Sequence, residues 1–123
     1  MTDRLPNRPT VIVVDDDAGV RSALRFSLEV EGFEVVTCSS AEDLLELGLP
    51  EDHGCLVLDD RLPGMSGMDA LEILRRRGVD IPTIVITSAP DPALRRRALL
   101  ANARLIEKPL LSDLLLGAIR ALS

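Results

Sequence analysis

Asp15, Asp16 and Asp17 follow directly on the β-branched run TVIVV, and Asp59 and Asp60 follow directly on the apolar run CLVL. Thr87 closes a further run, TIVIT, and Lys108 comes just after a short strand-like stretch at 104–106. Carboxylates brought together raise one another's pKa, so a cluster of them needs a cation to stay ionised. Mg²⁺ fits best, because it takes one or two carboxylates, keeps waters and completes its shell with phosphate oxygens. The ammonium of Lys108 is a second cation. A carboxylate flanked by metal, hydroxyl and ammonium is suited to accept a phosphoryl group, since each of the three can hold one oxygen of the transferring group. Taken singly these residues are ordinary. Acids after a strand often cap helices, as Asp17 should before a helix opening near Ala18; a threonine is a good β-former and a lysine a surface residue. Their joint placement at four strand ends is what points to chemistry. Between Asp59 and Asp60 the residues alone do not choose, although strand alternation turns the two to opposite faces.

The elements that must position them alternate in type. After a polar tail at 1–9, a strand at 10–14 precedes a helix from Ala18 to about Glu31, with Gly32 as its stop. FEVVT at 33–37 reads as the second strand, and Ser39 with Glu42 as a capping box opening a short helix to about Leu47. The third strand covers 55–58, and Pro63-Gly64-Met65-Ser66-Gly67 is turn chemistry before a helix from about Met68 to Arg77. The fourth strand is 83–87; Pro90 and Pro92 interrupt, and a helix runs from about Asp91 to Ala101. A short fifth strand at 104–106 and a last helix, capped by Ser112 and ending near Leu122, complete the chain. Five strands alternating with five helices predict an α/β fold, (βα)₅, whose parallel sheet is covered on both faces. Such sheets carry their sites at the carboxyl ends of the strands, where the acids, Thr87 and Lys108 all fall.

Composition excludes several classes. A chain of 123 residues with 46% hydrophobic and 28% charged residues forms one domain with a real core. Its two aromatic residues, Phe26 and Phe33, cannot build a base-stacking platform. Fourteen Lys and Arg against twenty Asp and Glu leave −6, the wrong sign for gripping nucleic acid. The basic triplets at 75–77 and 95–97 serve helix ends or the surface. No apolar run is long enough to span a bilayer, and the N-terminus lacks an apolar signal core, so a cytoplasmic location is expected. Cys38 and Cys55 sit in apolar runs without metal-ligand spacing and read as buried reduced thiols. His53 reads as a solvated loop residue.

The segments VIVVDDD, LVLDDRLPGMSG, IVIT and IEKP, in this order, resemble the receiver domain of two-component response regulators across nearly the whole chain, and the second is similar to the FixJ-like branch. The resemblance implies a flavodoxin-like receiver fold over 10–123, with strand order 2-1-3-4-5. It implies that Asp59 is the phosphoacceptor, that Asp16 binds Mg²⁺ directly with Asp15 in support, and that the backbone carbonyl of Arg61 is a further metal ligand. It implies that Thr87 and Lys108 contact the phosphoryl group, that the bond before Pro109 is cis, and that Arg61 and Ala89 stand at positions that tune phosphoryl lifetime. The chain departs from the family at Leu105, where an aromatic switch residue is usual, at Ser88, where a smaller residue is common, and in a stretch from Thr87 to Lys108 about one residue shorter than usual.

Partners follow from the same resemblance: a sensor histidine kinase or phosphotransfer protein docking on the first helix, with Val20, Arg21, Leu24 and Arg25 as candidates, and a homodimer through the fourth helix, fifth strand and fifth helix. The leucine-rich last helix (Leu111, Leu114, Leu115, Leu116, Leu122) should leave some apolar surface for an interface. The expected product is a signalling switch with at most slow self-dephosphorylation, not an enzyme, either standing alone or forming part of a longer regulator. Two other readings compete. One is a degenerate receiver that binds partners without phosphate. The other is a haloacid-dehalogenase-like phosphatase with Asp15 as nucleophile and Asp17 as acid; it expects its paired acids after the Thr and Lys motifs, whereas Asp59 and Asp60 come before Thr87 and Lys108.

Overall fold

In a computed structural model, residues 9–49, 54–108 and 112–122 are described. The strands are β1 (Thr10–Val14), β2 (Glu34–Cys38), β3 (Gly54–Asp59), β4 (Thr83–Thr87) and β5 (Ala103–Glu107). The helices are α1 (Ala18–Val30), α2 (Ala41–Glu46), α3 (Gly67–Arg76), α4 (Pro92–Leu100) and α5 (Ser112–Leu122). The strands form one parallel sheet in the order β2-β1-β3-β4-β5. This is the (βα)₅ architecture read from the sequence. His53, Pro109 and Leu111, and the side chain of Leu114, lie outside what is described.

Alternation along the buried strands feeds two cores. Ile12, Val14, Leu56 and Leu58 pack with Leu44 of α2, Met68, Leu71 and Leu74 of α3, and Leu94 and Ala98 of α4. Val11, Val13, Cys55 and Val57 pack on the other face with Leu28 of α1 and Leu115, Ala118 and Ile119 of α5. Because each of these strands is apolar on both sides, only a sheet covered on both faces satisfies it. Cys38 and Cys55 fall in different cores. Both are free thiols, and burial pushes Cys55 up to about 12.

Several local expectations are corrected. The N-cap of α2 is Ser40, whose Oγ accepts the Asp43 N–H at 3.0 Å. Ser39 instead donates to the Asp43 carboxylate, and Glu42 reaches away to accept the Met65 N–H at 3.4 Å. The Ser-x-x-Glu spacing was real, but a loop 23 residues on competes for the glutamate. The fourth helix starts where the sequence puts it: Asp91 is its N-cap and Pro92 sits in the first helical turn, where a missing N–H costs nothing. Of the last helix's leucines that are described, Leu115 is buried and Leu116 and Leu122 pack on the core. Among the described residues the exposed large apolar side chains are Phe26 and Val30 on α1 and Leu99 and Leu100 on α4.

Three of the six arginines in the basic triplets are engaged within the fold. Arg75 donates to the carbonyls of Ala101 and Val79, and Arg77 donates to the Leu45 carbonyl. Arg97 ties α4 to α3 through Asp69 at 2.8 Å and Glu72 at 2.7 Å.

The tightest constraint on backbone packing is at Gly67, the first residue of α3. A Cβ there would lie 2.2 Å from the Asp59 carbonyl oxygen and 3.0 Å from Leu58 Cγ. Backbone cannot yield as a flexible side chain does, so Gly67→Ala should destabilise the fold by about 1–3 kcal/mol, as overpacking does. Urea denaturation will show this as a lower midpoint with an unchanged slope.

Candidate functional site

Sheet register brings the site together. In the β1–β3 pairing Val14 lies beside Leu58, so Asp15 emerges next to Asp59. In the β3–β4 pairing Asp59 lies beside Ile86, one residue before Thr87. In the β4–β5 pairing Thr87 lies beside Glu107, and the Lys108 N–H donates to the Thr87 carbonyl at 2.8 Å. Four separate strand ends thus deliver Asp15, Asp59, Thr87 and Lys108 to one rim.

Asp15, Asp16 and Asp59 each offer a carboxylate oxygen, and these oxygens lie within 4.8 Å of one another. Asp15 and Asp59 are buried, at 6% and 4% exposure, and Asp16 is exposed. One oxygen of Asp59 accepts the Arg61 N–H at 3.3 Å and the other accepts from Lys108 Nζ at 3.2 Å. Burial raises the Asp59 pKa; Lys108 opposes this, the negative charge of Asp15 adds to it, and the two hydrogen bonds oppose it. The net rise means that Asp59 carries a charge the fold itself does not fully compensate.

The neighbouring acids have other work. Asp17 caps α1, its carboxylate accepting the Val20 N–H at 3.1 Å, as read from the sequence. Asp60 turns away from the cluster and accepts the Met68 N–H at 3.1 Å at the start of α3. Strand alternation and this cap together separate Asp59 from Asp60. Thr87 is buried, and its Oγ1 accepts the Ala89 N–H at 3.1 Å, which leaves the hydroxyl proton to be donated. Beside it opens a cleft of about 250 Å³ lined by Asp60, Arg61, Thr87, Asp91 and Arg97, among others.

The donor set fits a hard divalent cation. All three donors are carboxylate oxygens, two of them are desolvated, and among the described residues no nitrogen or sulfur ligand joins them. Sequence reasoning found the acids, Thr87 and Lys108. It missed Gly67, which it took as turn chemistry, and the capping role of Asp60. The signal for Gly67 was a glycine seven residues after Asp60, but its necessity is visible only once α3 is seen against the Asp59 carbonyl.

The response regulator receiver domain model matches residues 11–120. The chain belongs to the response regulator receiver domain family. The transcriptional regulatory protein FixJ of Azorhizobium caulinodans is 40% identical over 118 residues, covering 95% of this chain and 56% of FixJ. The C4-dicarboxylate transport transcriptional regulatory protein DctD of Pseudomonas aeruginosa is 37% identical over 111 residues, which is 89% of this chain but 24% of DctD. Among solved structures, the response regulator StyR superposes with a TM-score of 0.86 at 46% identity, covering 94% of this chain and 59% of StyR. The chain therefore spans little more than half the length of FixJ and StyR. The receiver family is a signalling phosphoacceptor family, not a conventional enzyme family, and generally binds Mg²⁺ at an acidic cluster such as this one. The phosphatase reading falls with this membership, and with Asp17 and Asp60 both occupied as caps. Among the described residues no helix is long and apolar enough to cross a membrane.

A pH signature follows from the raised Asp59 pKa. In the absence of Mg²⁺ the folded state holds the Asp59 proton above 3.8, where the unfolded chain releases it. The contribution of Asp59 to stability therefore falls as pH rises from 3.8 through the folded-state value. Asp59→Asn should be as stable as wild type below that window and more stable above it, as read by denaturant midpoints across pH. Mg²⁺ should raise the midpoint of wild type by mass action and leave Asp59→Asn nearly unmoved.

Proposed function

We propose that Asp59 is the phosphoacceptor of a receiver unit spanning 10–123, taking its phosphoryl group from the phosphohistidine of a sensor kinase or phosphotransfer protein in the cytoplasm. The observation that carries this reading is the placement of Asp59: buried, held by Lys108 on one oxygen and by the Arg61 N–H on the other, and within reach of Asp15 and Asp16. A bond forms between an Asp59 carboxylate oxygen and phosphorus as the donor's P–N bond breaks. Asp16 and Asp15, with Asp59 and the Arg61 carbonyl, would hold Mg²⁺, which supplies charge neutralisation for the transferring oxygens. Lys108 and the Thr87 hydroxyl take the remaining oxygens. Hydrolysis of the acyl phosphate by the domain itself is slow, because no general base other than the cluster's own acids stands beside it among the described residues.

Output is proposed to pass through the surface of α4, β5 and α5, where a second copy binds. Leu99 and Leu100, 78% and 80% exposed, support a contact there. Leu105 is half-buried against the core on this side, in place of the aromatic switch. The kinase is proposed to dock on α1. Of the four candidates, Val20 and Leu24 are half-buried on that helix, whereas Arg21 and Arg25 donate inward, to the carbonyls of Asp15 and Val35. Direct nucleic-acid binding by this unit is not proposed, since Arg75, Arg77 and Arg97 are engaged within the fold.

The test is intact-protein mass after incubation with acetyl phosphate. Wild type and Asp60→Asn should each gain one phosphoryl group, Asp59→Asn none. Chelation of Mg²⁺ should slow the gain by about 10²-fold or more. Size-exclusion chromatography of the phosphorylated chain distinguishes a working switch, which shifts to a dimer, from a degenerate module, which does not.

A further inference from the structure

The acidic loop after β1 is held from every side. The Asp15 N–H donates to the Cys38 carbonyl at 3.2 Å. One Asp15 carboxylate oxygen accepts the Asp17 N–H at 2.9 Å. The Asp17 carbonyl accepts the Arg21 N–H at 3.0 Å. The Asp15 carbonyl is held as well: the Arg21 guanidinium donates to it at 2.7 Å, the shortest of these bonds. Arg21 is half-buried on the second turn of α1, so its side chain folds back over the loop instead of extending into solvent. It makes no carboxylate ion pair among those described; its partner is a backbone carbonyl within the acid triplet itself.

We propose that Arg21 is a positioning residue for the metal-binding acids. The inference rests on the reading of Asp15, Asp16 and Asp59 as the Mg²⁺ site. Three carboxylates within 4.8 Å push one another apart before any cation arrives. Asp16 is exposed and takes its direction from the backbone on either side of it. A guanidinium bonded to the carbonyl of Asp15 fixes the peptide that leads into Asp16, and so fixes where that carboxylate stands. Outer-shell groups of this kind orient the groups that touch the metal. Arg21 therefore belongs with the site, and not only with the kinase-docking surface.

Electrostatics gives the test its sign. A guanidinium beside a cation site repels the cation, so if Arg21 mattered only as a charge, removing it would tighten Mg²⁺ binding. A positioning role predicts the opposite. Mg²⁺ should be titrated calorimetrically into the full chain as wild type, Asp16→Asn, Arg21→Gln and Arg21→Lys, with amide exchange followed in the metal-free state. The expected result is Mg²⁺ binding by wild type, none by Asp16→Asn, and binding about tenfold weaker in both Arg21 variants, at the lower end of what loss of an outer-shell partner costs. The Asp17 amide should exchange faster in both variants while the amides of β1 and β3 keep their protection. Arg21→Lys carries the test if Arg21→Gln fails to fold, because it keeps the charge and loses the reach of the fork. Unchanged or tighter binding in the Arg21 variants overturns the inference, as does weaker binding accompanied by loss of sheet protection, which is general destabilisation. Equal Mg²⁺ binding by wild type and Asp16→Asn overturns the underlying site reading instead.

Discussion

Asp59 stands at the end of a buried strand with Asp15 beside it, and the fold has to hold two desolvated carboxylates at close quarters. Burial and like charge push in one direction; Lys108 and the Arg61 N–H push back without fully cancelling them. The surrounding structure follows from that imbalance. Lys108 is delivered by the end of β5 and locked to Thr87 through its own N–H. The Asp15 backbone is tied to β2 and to α1. A site left short of positive charge suits a divalent cation, such as the receiver family generally binds at an acidic cluster.

The other side of the site is set by sterics. The start of α3 lies against the backbone of Asp59, close enough that only glycine fits at position 67. The Gly67 N–H donates to the Asp60 carbonyl, and the Asp60 carboxylate caps the same helix through Met68. Asp60 is thus removed from the chemistry by the bond that fastens α3 to β3. Two adjacent aspartates of the same type have different roles because the strand sends one to the site and the other to a helix terminus.

The fourth helix is tied to both the sheet and α3. Its buried residues are Leu94 and Ala98, while Leu99 and Leu100 face solvent and Arg97 supplies the link to α3.

The strand runs TVIVV, CLVL and TIVIT, with an acid or threonine at each end, were enough to read the sheet, its parallel sense and the rim that carries Asp15, Asp16, Asp59, Thr87 and Lys108, because strand ends and β-branched burial are local properties. The α2 cap misread at Ser39, the need for glycine at 67 and the inward turn of Arg21 were not legible, because each depends on a partner distant in the chain or in contact only after folding: Met65 for Glu42, the Asp59 carbonyl for Gly67, the Asp15 carbonyl for Arg21. Spacing along the sequence determined which groups reach the rim. Which of them face one another, and which are spent holding the others in place, was decided by the packing of helices onto the sheet, since hydrogen bonds and close contacts between separate elements have no signature in local order.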